Sequence, residues 1–110
     1  MIRHPLAALA LTATAMVLTA AGPASAASFR CGGHLTYTEA AICDNGNLSN
    51  LDSRMASLYY TRRHQLHGAA RAQLDADQRY WLASRNGCGA NVDCLIDAYT
   101  SRIHVMMVAY

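Results

Sequence analysis

The chain has 110 residues, with nine basic and seven acidic side chains and a formal net charge of +2. Every basic residue but histidine is arginine, and the balance lacks the strongly basic footprint of a nucleic-acid binder. The length allows one small domain, whose core is thin enough that its four cysteines read as covalent staples.

Met1–His4 is a short basic start, Leu6–Ala21 is apolar without a charge, and Pro23-Ala24-Ser25-Ala26 gives a small-residue A-x-A site. This order is that of a secretory signal peptide over residues 1–26, removed on export. The apolar run is shorter than the roughly 20 residues of a membrane span. No cysteine stands at the cleavage site to carry a lipid. The expectation is one exported domain over residues 27–110, periplasmic or secreted, without a membrane span after cleavage. Arg3 leaves with the leader, so the exported part is close to neutral.

Thr36-Tyr37-Thr38-Glu39 has the spacing of a capping box and predicts a short helix through about Cys43. Asp44-Asn45-Gly46-Asn47 is a turn cluster. Leu48, Leu51, Met55, Leu58, Arg62 and Leu66 then recur at three- and four-residue steps, marking a second helix capped by Asn47 or Ser49. A third helix is predicted from about Ala69 to Arg85, with Leu74, Gln78, Trp81 and Arg85 on one stripe. Gly68 either ends the second helix or sits inside one long bent helix, at a cost of about 1 kcal/mol relative to alanine.

Asn86-Gly87-Cys88-Gly89 stops the third helix, and Asn91 caps a fourth from about Val92, with Asp93 in its first turn. Leu95, Ile96, Tyr99, Ile103, Met106 and Tyr110 follow at helical spacing. No stretch alternates with a period of two for long enough to make a strand. The predicted fold is all-α: a small bundle of one short and three longer helices, mostly antiparallel neighbours, stapled by two disulfides. Its expected core includes Trp81, Leu51, Leu58, Leu82, Tyr99 and Ile103.

Cys88 and Cys94 flank the corner between the last two helices, and Cys31 and Cys43 flank the first helix. Pairing 31–43 and 88–94 is favoured, although four cysteines allow three connectivities. Zinc sites use tight C-x₂₋₄-C pairs, and redox catalysts use C-x-x-C at a helix N-terminus; the spacings here fit neither. His64 and His67 are three apart without a third ligand, so no metal or cofactor is expected.

Trp81 and Arg85 lie one turn apart, and the favoured reading is core packing, with Arg85 held by backbone carbonyls or by Asp52. Tyr59-Tyr60 and Arg62-Arg63 place aromatic and guanidinium groups around one helix, with one tyrosine expected inside and one outside. Tyr60 and Arg63 are the candidate binding pair there. Neither the serines, the histidines nor Asp75 with Asp77 form a catalytic motif, so the chain is not expected to be an enzyme.

The segments "FRCGGHLTYTEAAICDNGNLSNLDSRMASLYY", "DQRYWLASRNGC" and "CLIDAYTSRI" resemble the small exported bacterial domain named for the lysozyme inhibitor LprI. The resemblance falls on Phe29 and Cys31; on Glu39, Ile42 and Cys43; and on Leu48, Leu51 and Asp52. It continues on Gln78, Trp81, Leu82, Arg85 and Cys88, then on Cys94, Leu95, Tyr99, Arg102 and Ile103. It implies a helical, disulfide-stapled domain that inhibits a lysozyme. The namesake is a lipoprotein, whereas this chain has no lipidation cysteine at its cleavage site.

Two functions follow as expectations. The first is a non-enzymatic inhibitor whose partner is a protein, c-type lysozyme by resemblance. Its contacts would come from the turns around Asp44, Asn45 and Asn47 and around Asn91, since pinned loops lose little entropy on docking. An acidic patch drawn from Asp44, Asp52, Asp75, Asp77, Asp93 or Asp97 would offset the weak overall steering of a near-neutral chain. The second is an envelope interaction domain with another protein or glycan partner, marked by an exposed apolar helix face.

Overall fold

A computed structural model describes residues 27–110; the signal-peptide reading of residues 1–26 lies outside them. Four helices follow in order: α1 Tyr37–Asp44, α2 Gly46–Gln65, α3 Gly68–Asn86 and α4 Val92–Val108. The fold is all-α, and both favoured disulfides are present, Cys31–Cys43 and Cys88–Cys94.

Each helix start has a local chemical cause. Thr36 Oγ1 accepts the Glu39 N–H while Glu39 Oε1 accepts the Thr36 N–H, closing the capping box of α1. Asn45 Oδ1 accepts the Leu48 N–H at 3.1 Å, so α2 starts at Gly46. This corrects the expected cap at Asn47 or Ser49: Asn45 both ends α1 and caps α2, leaving no loop residue between them. Ser49 instead donates its hydroxyl to the Ile42 carbonyl at 2.6 Å, tying α2 to α1.

Gly68 breaks the chain rather than bending it. Helix α2 stops at Gln65 with the Leu66 N–H on the Arg62 carbonyl, and α3 begins at Gly68 itself with φ of +56°. A left-handed residue cannot continue an α-helix, and glycine takes that conformation without a Cβ clash. The guanidinium of Arg71 then donates to the Arg63 and Leu66 carbonyls, satisfying acceptors that the end of α2 leaves free.

Cross-helix contacts fix the directions. Helix α3 runs antiparallel to α2, pairing Met55 with Gln78 and Tyr59 with Asp75. It is also antiparallel to α4, with Trp81 Nε1 donating to the Ala98 carbonyl at 3.1 Å and Arg102 donating to Gln78 Oε1. Helices α2 and α4 are parallel, since Asp52 meets Tyr99 and Arg62 meets the Met106 carbonyl. They share the most extensive packing in the fold. Successive long helices are thus antiparallel as expected, and two antiparallel steps make α2 and α4, which share the main interface, parallel.

Ile42, Leu48, Met55, Trp81, Leu95, Tyr99 and Ile103 form the central apolar cluster, drawn from all four helices. Trp81 and Tyr99 meet edge to face at 5.1 Å between ring centroids. Leu51, Leu58 and Leu82, expected in the core, are half-buried and pack against the cluster from outside. Their places are taken in part by polar groups. Asp52, Gln78, Arg85 and Arg102 are all buried, and they bond one another or Tyr99.

Candidate functional site

Because α2 and α4 are parallel, their N-termini lie at one end of the bundle, beside the C-terminus of α3. Helix α1 closes that end. The hydroxyl of Thr38 bonds the Gly89 carbonyl at 2.8 Å, joining α1 to the turn between α3 and α4. The two disulfides therefore sit at the same end, one in the segment before α1 and one in this turn.

The turn itself is built by successive backbone bonds. The Gly87 N–H reaches Ala83, Cys88 reaches Arg85, Gly89 reaches Asn86 and Asn91 reaches Cys88. Gly89 takes φ of +58°, which reverses the chain toward α4. Asn91 Oδ1 accepts the Cys94 N–H at 3.0 Å, so the cap and the disulfide fix the same first turn.

The fold brings Asp44, Asn45, Asn47 and Asn91 to this pinned end. Asp44, Asn47 and Asn91 are exposed, whereas the Asn45 side chain is half-buried by its capping role. Tyr37, which residue patterns did not single out, belongs with them. It is 87% exposed and adjoins Thr38, the residue that holds the turn. Its signal was its position: Thr38 and Ile42 form the buried i, i+4 stripe of α1, and Tyr37 lies off it.

The six aspartates do not form one patch. Asp52 is 1% exposed and serves the core. Asp75 accepts hydrogen bonds from Tyr59 Oη and Arg63 Nε, and its carboxyl is held below the usual range by those two donors. Asp77 is lowered in the same way, first by Tyr110 Oη and then by Gln73. Asp44 and Asp93 remain exposed at the pinned end, whereas α2 ends in Arg62, Arg63 and His64 with Arg71 beside them. Exposed Arg30, beside Cys31, is a cation at the pinned end, and Asp75 offsets Arg63 at the other.

Tyr60 and Arg63 lie toward the basic end of α2, apart from the pinned loops. Tyr59 is the half-buried tyrosine of the pair and Tyr60 the exposed one, their rings edge to face at 5.2 Å. Trp81 and Arg85 are both buried, and Arg85 meets Asp52 at 3.8 Å. Among the described residues no cluster of histidine, cysteine or acid is arranged to hold a metal ion. No helix among them is long and apolar enough to cross a membrane.

A family model described as "Lysozyme inhibitor LprI" matches residues 31–106, from the first cysteine to the last buried residue of α4. The chain belongs to the LprI family. It is similar to the protein named Lipoprotein LprI in Mycobacterium bovis and in two strains of Mycobacterium tuberculosis. Each is 27% identical to it over 108 residues, covering 87% of this chain and 53% of the relative. The chain therefore spans about half the length of these curated relatives. No solved structure matches it. The family match encloses all four cysteines and the Asp52, Arg85 and Tyr99 side chains that join the helices.

Proposed function

We propose that this chain is exported, and that it binds and inhibits a lysozyme without catalysing a reaction itself. Membership of a family described by lysozyme inhibition supports the activity. Two disulfides suit the oxidising compartments outside the cytoplasm. The supporting geometry is the meeting of both disulfide-pinned segments, with Tyr37, at one end of the bundle.

Lysozymes hydrolyse glycans with a pair of carboxyl groups flanking the scissile bond in a cleft. A rigid protrusion that fills such a cleft excludes substrate and needs no chemistry of its own. Loops fixed by covalent bridges pay little ordering entropy on docking. Tyrosine is favoured at interface hot spots, and Tyr37 is the large aromatic presented there. Asp44 and Asp93 place exposed carboxylates at this end, which can meet basic groups of a lysozyme individually despite the near-zero net charge.

A titration of cell-wall lysis by a c-type lysozyme against added protein tests this reading. Saturable loss of lysis near molar equivalence is expected, weakening moderately between 50 and 300 mM salt as exposed charges are screened, with a Debye length of about 8 Å near 0.15 M. No inhibition at many-fold molar excess, with lysozymes of more than one type, overturns it.

A further inference from the structure

Between α2 and α3, away from the pinned end, lies a groove of about 340 Å³. Met55, Ala56 and Leu82 supply its apolar lining, Tyr59 and Tyr60 an aromatic one, and Ser28 and Gln78 uncharged polar groups. Its charged side chains are Arg63, Arg79 and Asp75.

These charges are not equivalent. Asp75 is already bonded by Tyr59 Oη and by Arg63 Nε at 3.0 and 3.3 Å, so it cancels Arg63 and stays ionised. Arg79 lies one turn further along α3, exposed and without a hydrogen bond or ion pair among the described residues. The groove therefore keeps one cation in excess, and although the charge of Arg79 is felt by Asp75, its guanidinium donors are free beside an exposed tyrosine ring and a partly apolar lining. Guanidinium binds a carboxylate through two parallel N–H donors.

We propose that this groove binds a small carboxylated sugar, the carboxylate on Arg79 and an apolar face of the ring against Tyr60. One spare cation fits one negative charge, which disfavours a phosphate dianion. The volume is at the small end of ligand pockets, which run from about 300 Å³, and suits a single ring better than a long polymer. An acidic side chain without a ring would leave the apolar lining uncovered. The site is separate from the pinned end and does not rest on lysozyme inhibition.

The test is an NMR titration of the protein with N-acetylmuramic acid, a single sugar ring that carries one carboxylate, in the absence of any lysozyme. N-acetylglucosamine supplies the ring without the carboxylate, and lactate the carboxylate without the ring. The acidic sugar is expected to bind at least tenfold more tightly than either, shifting Arg79 and Tyr60 resonances. Arg79→Gln should lower its affinity about tenfold, toward that of the neutral sugar, without changing the melting temperature. Tyr60→Ser should weaken both sugars and leave lactate unaffected. Equal binding of the two sugars, binding of neither, or an Arg79→Gln protein that binds normally overturns the proposal.

Discussion

Tyr99 Oη donates to Asp52 Oδ1 at 2.7 Å, joining α4 to α2 across 47 residues of sequence. Arg85 of α3 donates to the same phenol oxygen at 3.1 Å. The other carboxylate oxygen, Oδ2, accepts both the backbone N–H and the hydroxyl of Ser28, each at 2.6 Å. Three helices and the N-terminal segment thus converge on one buried carboxylate. Such a centre resists being half-built, because a buried charge without its partners is expensive.

Asp52→Ala should therefore destabilise the fold by about 3–5 kcal/mol, since it leaves Arg85 as an uncompensated buried charge. Arg85→Leu introduced with it should recover part of the loss. Urea denaturation of both single variants and the double variant measures the coupling. Strictly additive effects would rule out the pairing as an energetic unit.

The disulfides should rank by loop length. On the chain-entropy model, opening Cys88–Cys94 costs about 2 kcal/mol and opening the longer Cys31–Cys43 loop about 3 kcal/mol. Paired cysteine-to-serine variants, compared by urea midpoint, give the order. Intact mass with and without reduction should show no free thiol, and a chain starting near Ala27 if the leader is cleaved as its sequence suggests. A native protein with two free thiols contradicts the staple.

Gly68→Ala is the counterpart on the backbone. A Cβ at Gly68 would meet nothing within 4 Å, so packing offers no objection. The left-handed φ does, at about 1–2 kcal/mol for a residue with a side chain. A thermal melt that is unchanged or raised would mean that α2 and α3 can join through a right-handed residue here.

How much of this was written legibly in the sequence differs from helix to helix. The stripe Leu74, Gln78, Trp81 and Arg85 is the buried set of α3, because a helix with neighbours along one side declares that side by its period. The α1 capping box and the Asn91 cap are equally local, and both were readable. The start of α2 was not, since Asn45, Asn47 and Ser49 are all competent caps and contact with α1 assigns Ser49 elsewhere. Leu51, Leu58 and Leu82 fit the apolar pattern but yield interior space to ionised and amide side chains. Such networks have no period. Nor does periodicity say which helices pack most closely, so the dominance of the α2–α4 contact was hidden, although its parallel direction follows from two antiparallel steps.

Stability should fall at both extremes of pH. Asp75 and Asp77 have lowered pKa values in the fold, from hydrogen bonds led by Tyr59 and Tyr110 respectively. Their contribution is present above the unfolded value near pH 4 and is lost as pH falls through the lower folded values. Tyr99 is shifted the other way, upward, by burial first and by its bond to Asp52 second. Its contribution is present below about pH 10 and is lost as pH rises further. Melting temperatures from pH 2 to 11 check both limbs. Asp75→Asn should flatten the acid limb and Tyr99→Phe the alkaline one.

Tyr37→Ala should leave the fold intact, because the ring is mostly in solvent. If the pinned end carries lysozyme binding, this variant should raise the concentration needed for half inhibition about tenfold, the equivalent of about 1.4 kcal/mol. Tyr80→Ala is the matched control, an equally exposed tyrosine on α3. Equal losses from both variants would move the contact surface away from the pinned end.

The parallel pairing of α2 with α4 also governs the order in which the chain can fold. A chain that emerges N-terminus first presents α1, α2 and α3 before α4 exists. Until α4 arrives, Asp52 and Arg85 lack Tyr99, Gln78 and Arg102 cannot meet, and the cluster around Leu48, Met55 and Trp81 lacks Leu95, Tyr99 and Ile103. Distant contacts must be closed before they return stabilisation, and that delays folding. The chain should therefore stay loose through synthesis and any passage across a membrane, a state compatible with a narrow channel. Folding should become cooperative only when the last turns of α4 are free.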